Sequence, residues 1–189
     1  MTVLCAGLLL LAGCSDEADP GPSSTAPTST TSASTPAPAL EPTPWPEPTR
    51  PAAMERDDIE GAKAAAEYFL ALYPYVYATG DLEEWEEMSH PECEFCRSTS
   101  DDVTEVFAEG GRGTGGAFTV DEVFASPPDD EFEHFRVELV GAEEPSRLLS
   151  DDGTVASSTT GGPGSYFVAV LRADDQWLVR GALAEKDEQ

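Results

Sequence analysis

Asparagine is absent from the 189 residues, and Lys plus Arg number only 10 against 37 Asp plus Glu. Without Asn there is no N-glycosylation acceptor. A formal net charge of −27 at pH 7 repels nucleic-acid phosphates and anionic lipid headgroups. Nucleic acid is therefore excluded as a partner. Long apolar runs are missing too. The only strongly apolar segment, Val3 to Ala12, is about half the ~20 residues that a bilayer-spanning helix needs. Histidine and cysteine number two and four, so any metal or thiol chemistry turns on very few residues.

What the N-terminus does have is a short apolar run that stops at one cysteine, followed at once by Ser15-Asp16-Glu17. A short apolar run ending in small residues is the pattern of a secretory signal peptide. Leu11-Ala12-Gly13-Cys14 resembles the lipobox of bacterial lipoproteins. That resemblance implies a diacylglyceryl group on the Cys14 thiol and removal of residues 1–13. It also implies a membrane lipid as the partner of acylated Cys14. Small residues suit a peptidase that must approach the backbone, and a thiolate is the good nucleophile for acylation. No Lys or Arg precedes the run, which points to a native start upstream of Met1. Cys5 lies inside the run and is expected to leave with it.

Residues 15–50 hold 9 Pro and 13 Ser or Thr and almost nothing apolar. Such a stretch cannot offset its ordering entropy, so a disordered or polyproline-like stalk over 14–50 is expected. Its reach is roughly 110 Å if extended and some 30–36 Å as a coil. Both exceed the ~8 Å Debye length at physiological salt. A spacer of that length carries an acidic domain clear of an acidic surface. The domain itself, residues 51–189, has 32 acidic and 9 basic side chains.

Those 139 residues are the size of one domain. Asp57 and Asp58 are cap candidates before a helical pattern. Ala62, Ala66, Phe69, Tyr73 and Val76 recur at spacings of four and three, on one helix face. Thr79-Gly80-Asp81 ends the pattern, and Pro74, late within it, is expected to kink the helix because its ring clashes with the Leu70 carbonyl. "LEEWEEMSH" predicts a short second helix, and "SDDVTEVFAEGG" a third that glycines terminate. The period then changes. "AFTVDEVFA", "EHFRVELVGA", "SYFVAVLRA" and "QWLVRGALA" read as strands between Pro, Gly and Asp clusters. Phe135, Val137 and Leu139 share one face, with His134, Arg136 and Glu138 on the other. Helices first and strands after predict an α+β domain, helices packed on one face of an antiparallel sheet.

Five features could carry chemistry. Cys93-Glu94-Phe95-Cys96 admits three readings: a structural disulfide, a redox pair, or a metal site that recruits His90. Export favours the disulfide. A redox pair would want a βαβ context, and no fourth cysteine remains for a full metal set. The ring is small, and the bond is expected to staple a corner between the second and third helices. Gly111-Arg112-Gly113-Thr114-Gly115-Gly116 matches a dinucleotide fingerprint in letters only, because it follows a helix and precedes a strand. It reads as a flexible connector. His134 is the only histidine within the predicted strands, and the alternation away from Phe135 and Val137 turns it to solvent. Trp85 and Trp177 read as core, with pocket lining as the alternative. Asp129-Asp130-Glu131 and Asp151-Asp152-Gly153 read as turns and lack calcium-loop spacing. No catalytic, cofactor-binding or metal residue is assigned, and no enzyme activity or cofactor is expected.

"AAAEYFLALYPYVYATGDLEEWEEMSHPECEFC", then a glycine-rich turn and a strand-rich half ending "QWLVRGALAEK", resembles an actinobacterial lipoprotein family known as domain of unknown function 6318. Tyr77-Ala78-Thr79-Gly80-Asp81 and Cys93-Glu94-Phe95-Cys96 carry the likeness through their order and spacing. The element order also resembles the nuclear-transport-factor-2-like cone, in which helices fill a curved sheet. The expectation is a lipid-anchored protein on the extracytoplasmic face of the cell membrane, with a non-catalytic binding or scaffold domain. The alternative is a small-molecule carrier or an isomerase- or dehydratase-like enzyme with a cone-shaped pocket, in which the cone likeness implies that Tyr73, Tyr77 and Asp81 could join His134.

Overall fold

The computed structural model describes residues 45–186. Cys14, the apolar run before it and most of the Pro/Ser/Thr-rich stretch lie outside the described residues. Ordered packing begins ahead of residue 51, where the composition changes. Trp45 rests against the core, and the Arg50 guanidinium donates to Glu84 at 3.0 Å. A 3-10 turn over Ala52–Glu55 leads to the first helix.

Helix α1 (Ile59–Thr79) starts where the cap residues predict. The Asp58 carboxylate accepts from the N–H groups of Glu60 and Gly61 at 3.0 and 3.2 Å, satisfying two donors the helix leaves free. The hydrogen bond from Arg56 holds that carboxyl down at about 2, with the Gly61 and Glu60 N–H groups adding to it. Gly61 is needed for a second reason. A Cβ there would lie 2.2 Å from the Arg56 carbonyl oxygen and 2.9 Å from the Trp177 ring. Trp177 in turn donates its indole N–H to the Met54 and Arg56 carbonyls at 2.9 and 3.2 Å. The last strand thus clasps the entry to the first helix.

The inward face of α1 is the one the spacing predicts. Ala62, Ala66, Phe69 and Val76 are fully buried, and Tyr73 packs at the margin. The helix runs through Pro74 without interruption and ends at Gly80, which is left-handed (φ 75°) and donates to the Val76 carbonyl at 2.8 Å. Helix α2 (Glu83–Glu87) contributes Trp85. Helix α3 (Glu94–Ala108) begins six residues before the Ser100 start that the pattern suggested. Cys93 is its cap, and the Cys93 sulfur accepts the Cys96 N–H at 3.1 Å.

Seven strands follow: β1 (Arg112–Gly115), β2 (Phe118–Ser126), β3 (Phe135–Glu143), β4 (Ser146–Leu149), β5 (Val155–Thr159), β6 (Gly162–Ala173) and β7 (Gln176–Lys186). β2, β3, β6 and β7 are the four segments rich in Val, Phe, Tyr and Trp. They pair antiparallel in the order β2-β3-β6-β7. The other three form a small sheet, β1-β4-β5. This corrects the flexible-connector reading of the glycine-rich stretch, because Arg112–Gly115 is a paired strand. The strand runs so close to α1 that a Cβ on Gly113 would meet the Tyr77 side chain at 2.7 Å. Glycine there permits packing rather than looseness.

Register shifts at Val120/Glu122 and Ala169/Val170 mark bulges, which bend and twist strands. Val137, Leu139, Val168, Val170, Trp177 and Val179 on the inner face are buried. α1 lies against β2, β3, β6 and β7, and α3 against β7. Each large apolar side chain so buried contributes about 1.5–3 kcal/mol. At the β7 edge, the Val179 N–H donates to Met88 at 2.7 Å and the His90 N–H to Val179 at 3.0 Å, a short parallel bridge. Among the described residues, no helix is long and apolar enough to cross a membrane.

Candidate functional site

The space between the helices and the curved sheet is where a cone-shaped fold would hold a ligand. Beside it, aromatic rings of the three helices pack against one another within the core. Phe69 stacks on Trp85 with centroids 4.1 Å apart, and Tyr73 stacks on Phe95 at 5.9 Å. Trp85 and Phe95 meet at 6.0 Å, and the Trp85 indole N–H donates to the Cys96 carbonyl at 3.1 Å. Phe69 and Trp85 are fully buried. Both Trp85 and Trp177 are therefore core, as their size suggested.

A cavity of about 170 Å³ remains where the second half of α1 faces the small sheet. Tyr73, Tyr77, Glu143, Arg147 and the Ser157–Thr159 stretch line it. Ligand pockets usually measure about 300–1,000 Å³. Burial raises the Tyr73 phenol above its ordinary range and the Tyr77 phenol well above it. Tyr166, beside it, is pushed up to about 12 by burial and then by the charge of Glu143. At neutral pH these phenols are hydroxyl donors and acceptors, not proton-abstracting bases.

The constellation considered from sequence is taken apart. Asp81 is held by Tyr75, whose hydroxyl donates to it at 2.8 Å. His134 sits edge-on to Phe132 at 5.6 Å, and burial followed by the charges of Arg136 and Arg180 lowers its pKa. It does not line the Tyr73–Tyr77 cavity. Glu143 and Arg147, which do, were not singled out. Their strand neighbours are small or polar, so no periodicity flagged them. The two acidic clusters are turns. Asp129 accepts from the N–H groups of Glu131 and Phe132 at 3.0 and 2.9 Å, and Asp152 from Thr154 at 2.9 Å.

Cys93 and Cys96 form a disulfide. The position corrects the expected staple. The bond closes within the first turn of α3 and does not join α2 to α3, which the Trp85–Cys96 hydrogen bond does. Both cysteines are buried, out of reach of an exchanging thiolate. His90 is turned to local use, its Nδ1 accepting the Glu92 N–H at 3.1 Å. Among the described residues, no group of three or more His, Cys, Asp and Glu is placed to hold a metal ion.

One feature passed unremarked in the sequence. On the outer face of the large sheet, Phe124, Phe167 and Leu183 are 52%, 37% and 60% exposed. The alternation of "SYFVAVLRA" carried the signal, since Val168 and Val170 inward place Phe167 outward.

Helices covering one face of an antiparallel sheet define an α+β cone-like fold. In keeping with this, the intermembrane-space region of the chloroplast protein ARC6 is similar over 70% of this chain and 99% of its own, with TM-score 0.53 and 11% identity. A domain with a cystatin-like fold from Nostoc punctiforme matches 68% of this chain and 79% of its own at TM-score 0.41 and 14% identity. A chain named Rd1NTF2_05 matches 64% of this chain and 96% of its own at TM-score 0.35 and 9% identity. These likenesses concern the fold alone. No curated protein matches the chain. The model of DUF6318, a family of unknown function, matches residues 31–183, and the chain belongs to that family.

Proposed function

We propose that this chain is an extracytoplasmic lipoprotein of the actinobacterial type, whose α+β domain is a non-catalytic binding module. In this reading residues 1–13 are removed and Cys14 is acylated. The Pro/Ser/Thr-rich stretch spaces the domain from the membrane. Each buried acyl methylene contributes about 0.8 kcal/mol, and two chains give stable anchorage. Anchoring rests on Leu11-Ala12-Gly13-Cys14 and its flanks. One observation carries the binding-module reading: the cavity between α1 and the small sheet is only about 170 Å³, below the roughly 300–1,000 Å³ usual for a ligand pocket. The Tyr73–Tyr77 cavity, with Glu143 and Arg147 at its wall, supports a second reading as a small-molecule carrier.

Growing cells with a clickable palmitate analogue tests the anchor. The expected result is label on the wild-type chain in the membrane fraction, lost in Cys14→Ala. A labelled Cys14→Ala chain, or an unlabelled wild type in the cytosol, overturns it. Thermal shift against polar small molecules separates the two readings. Saturable stabilisation that Tyr77→Phe abolishes would favour the carrier.

A further inference from the structure

The outer face of the large sheet has an organised surface. Phe124, Glu138, Phe167 and Leu183 stand opposite one another in register across all four strands. The next row on the same face is Ser126, Arg136, Ala169 and Gly181. Bulky side chains in one row and small ones in the next leave a trough of about 650 Å³. Its floor at Gly181 is open, since a Cβ there would meet nothing within 4 Å. The row on the other side of the ridge is Glu122, Val140, Ser165 and Glu185, with both glutamates exposed at the two edge strands. Glu138 sits in the ridge itself. The one cation in these rows, Arg136, bonds Asp129 at 2.8 Å and lies over the Phe132 ring at 4.5 Å. Arg180, next to Gly181 on β7, is likewise paired, with Glu92 at 2.8 Å. The surface is therefore apolar at its centre, with Glu138 in the ridge and Glu122 and Glu185 beyond it as the carboxylates of its rim on that side.

Resting on the binding-module reading, the geometry points to this trough as the docking surface for a basic, amphipathic segment of a partner protein. An amphipathic helix lays apolar side chains into such a groove while its Lys and Arg meet the carboxylate rim. Charge chooses the occupant. Residues 1–44 and 187–189 of this chain contain no Lys or Arg, so its own ends do not match the rim. A second copy would bring Glu122, Glu138 and Glu185 against a like-charged face. An anionic membrane is repelled for the same reason.

The test uses the full chain carrying Cys14→Ala, so that no acyl group enters the readout. Fluorescence anisotropy follows a labelled helical peptide of Leu and Lys, with a Leu and Glu peptide as control. The expected result is saturable binding of the first peptide only. Gly181→Phe fills the trough without strain or charge change, and Leu183→Ser removes an apolar wall. Each should weaken binding by about tenfold or more. The proposal is overturned by no binding, or by undiminished binding to Gly181→Phe, which would mean charge alone. Self-association of the unmutated chain that Gly181→Phe abolishes also overturns it, in favour of a second copy. Failure here removes this surface only; the binding-module reading falls instead if a small molecule saturates the Tyr73–Tyr77 cavity.

Discussion

On the inner face of the large sheet, Val137, Leu139, Val168 and Val170 disappear beneath helices, whose rings of Phe69, Trp85 and Phe95 belong to the same core. On the outer face of the same strands, Phe124, Phe167 and Leu183 remain in solvent. The inner face is apolar throughout, whereas the outer face sets Phe124, Phe167 and Leu183 among Glu138, Arg136 and Ser126. The cover differs too. An inner residue contributes by leaving water, whereas an outer one contributes little to folding and is free to serve recognition. The distinction separates what holds this domain together from what it can offer another molecule.

The contrast can be broken most forcefully from inside. Phe69→Ala should lower unfolding free energy by about 3–5 kcal/mol, read from urea denaturation. A loss as small as that of a surface change would mean the interior is not packed as described. Next comes Gly61→Ala. In an open helix this exchange stabilises by up to about 1 kcal/mol. Here the methyl collides with the Arg56 carbonyl and the Trp177 ring, and a loss of about 1–3 kcal/mol is expected. A rise in stability would refute the clasp. Replacing Cys93 and Cys96 together with Ser should cost about 2 kcal/mol, the chain-entropy value for so small a ring, with the fold intact by far-UV circular dichroism.

Acid probes the helix entry more gently. The Asp58 carboxyl titrates lower in the folded chain than its ordinary value of 3.8. Its contribution is thus present above that value and lost as pH falls through about 2. The slope of stability against pH in that window should flatten in Asp58→Asn. The smallest effect belongs outside. Leu183→Ser should change stability by no more than about 0.5 kcal/mol, and a larger loss would show that the outer face is part of the core.

How much of this was legible in the sequence depended on side-chain size. The four long strands announced themselves through Val, Phe, Tyr and Trp, and α1 through its buried stripe and Asp58. The strands β1, β4 and β5 are four or five residues long and built mostly from Gly, Ser, Thr, Arg and Leu, with Val155 and Ala156 besides. Nothing in such segments exceeds the turn signals around them. The early start of α3 was hidden because Cys93-Glu94-Phe95-Cys96 drew a chemical reading, while its backbone is a first helical turn. Of the site, Tyr73 was visible as part of a helix face and Tyr77 in the Tyr77–Asp81 motif. Their separation from Asp81 and His134 depended on Tyr75 and on the local Phe132–Arg136 cluster, which one-dimensional spacing does not encode.

The backbone joining Met88–His90 to Val179 has a consequence for life at high local density. An open sheet ends in rows of unmet N–H and C=O groups that invite a neighbouring chain to add a strand. Here one border is partly occupied by the protein's own loop. The other, β2, is interrupted by its bulge, next to the exposed charges of Asp121 and Glu122. Neither border offers a straight template, so many copies crowded together should resist zipping into fibrils.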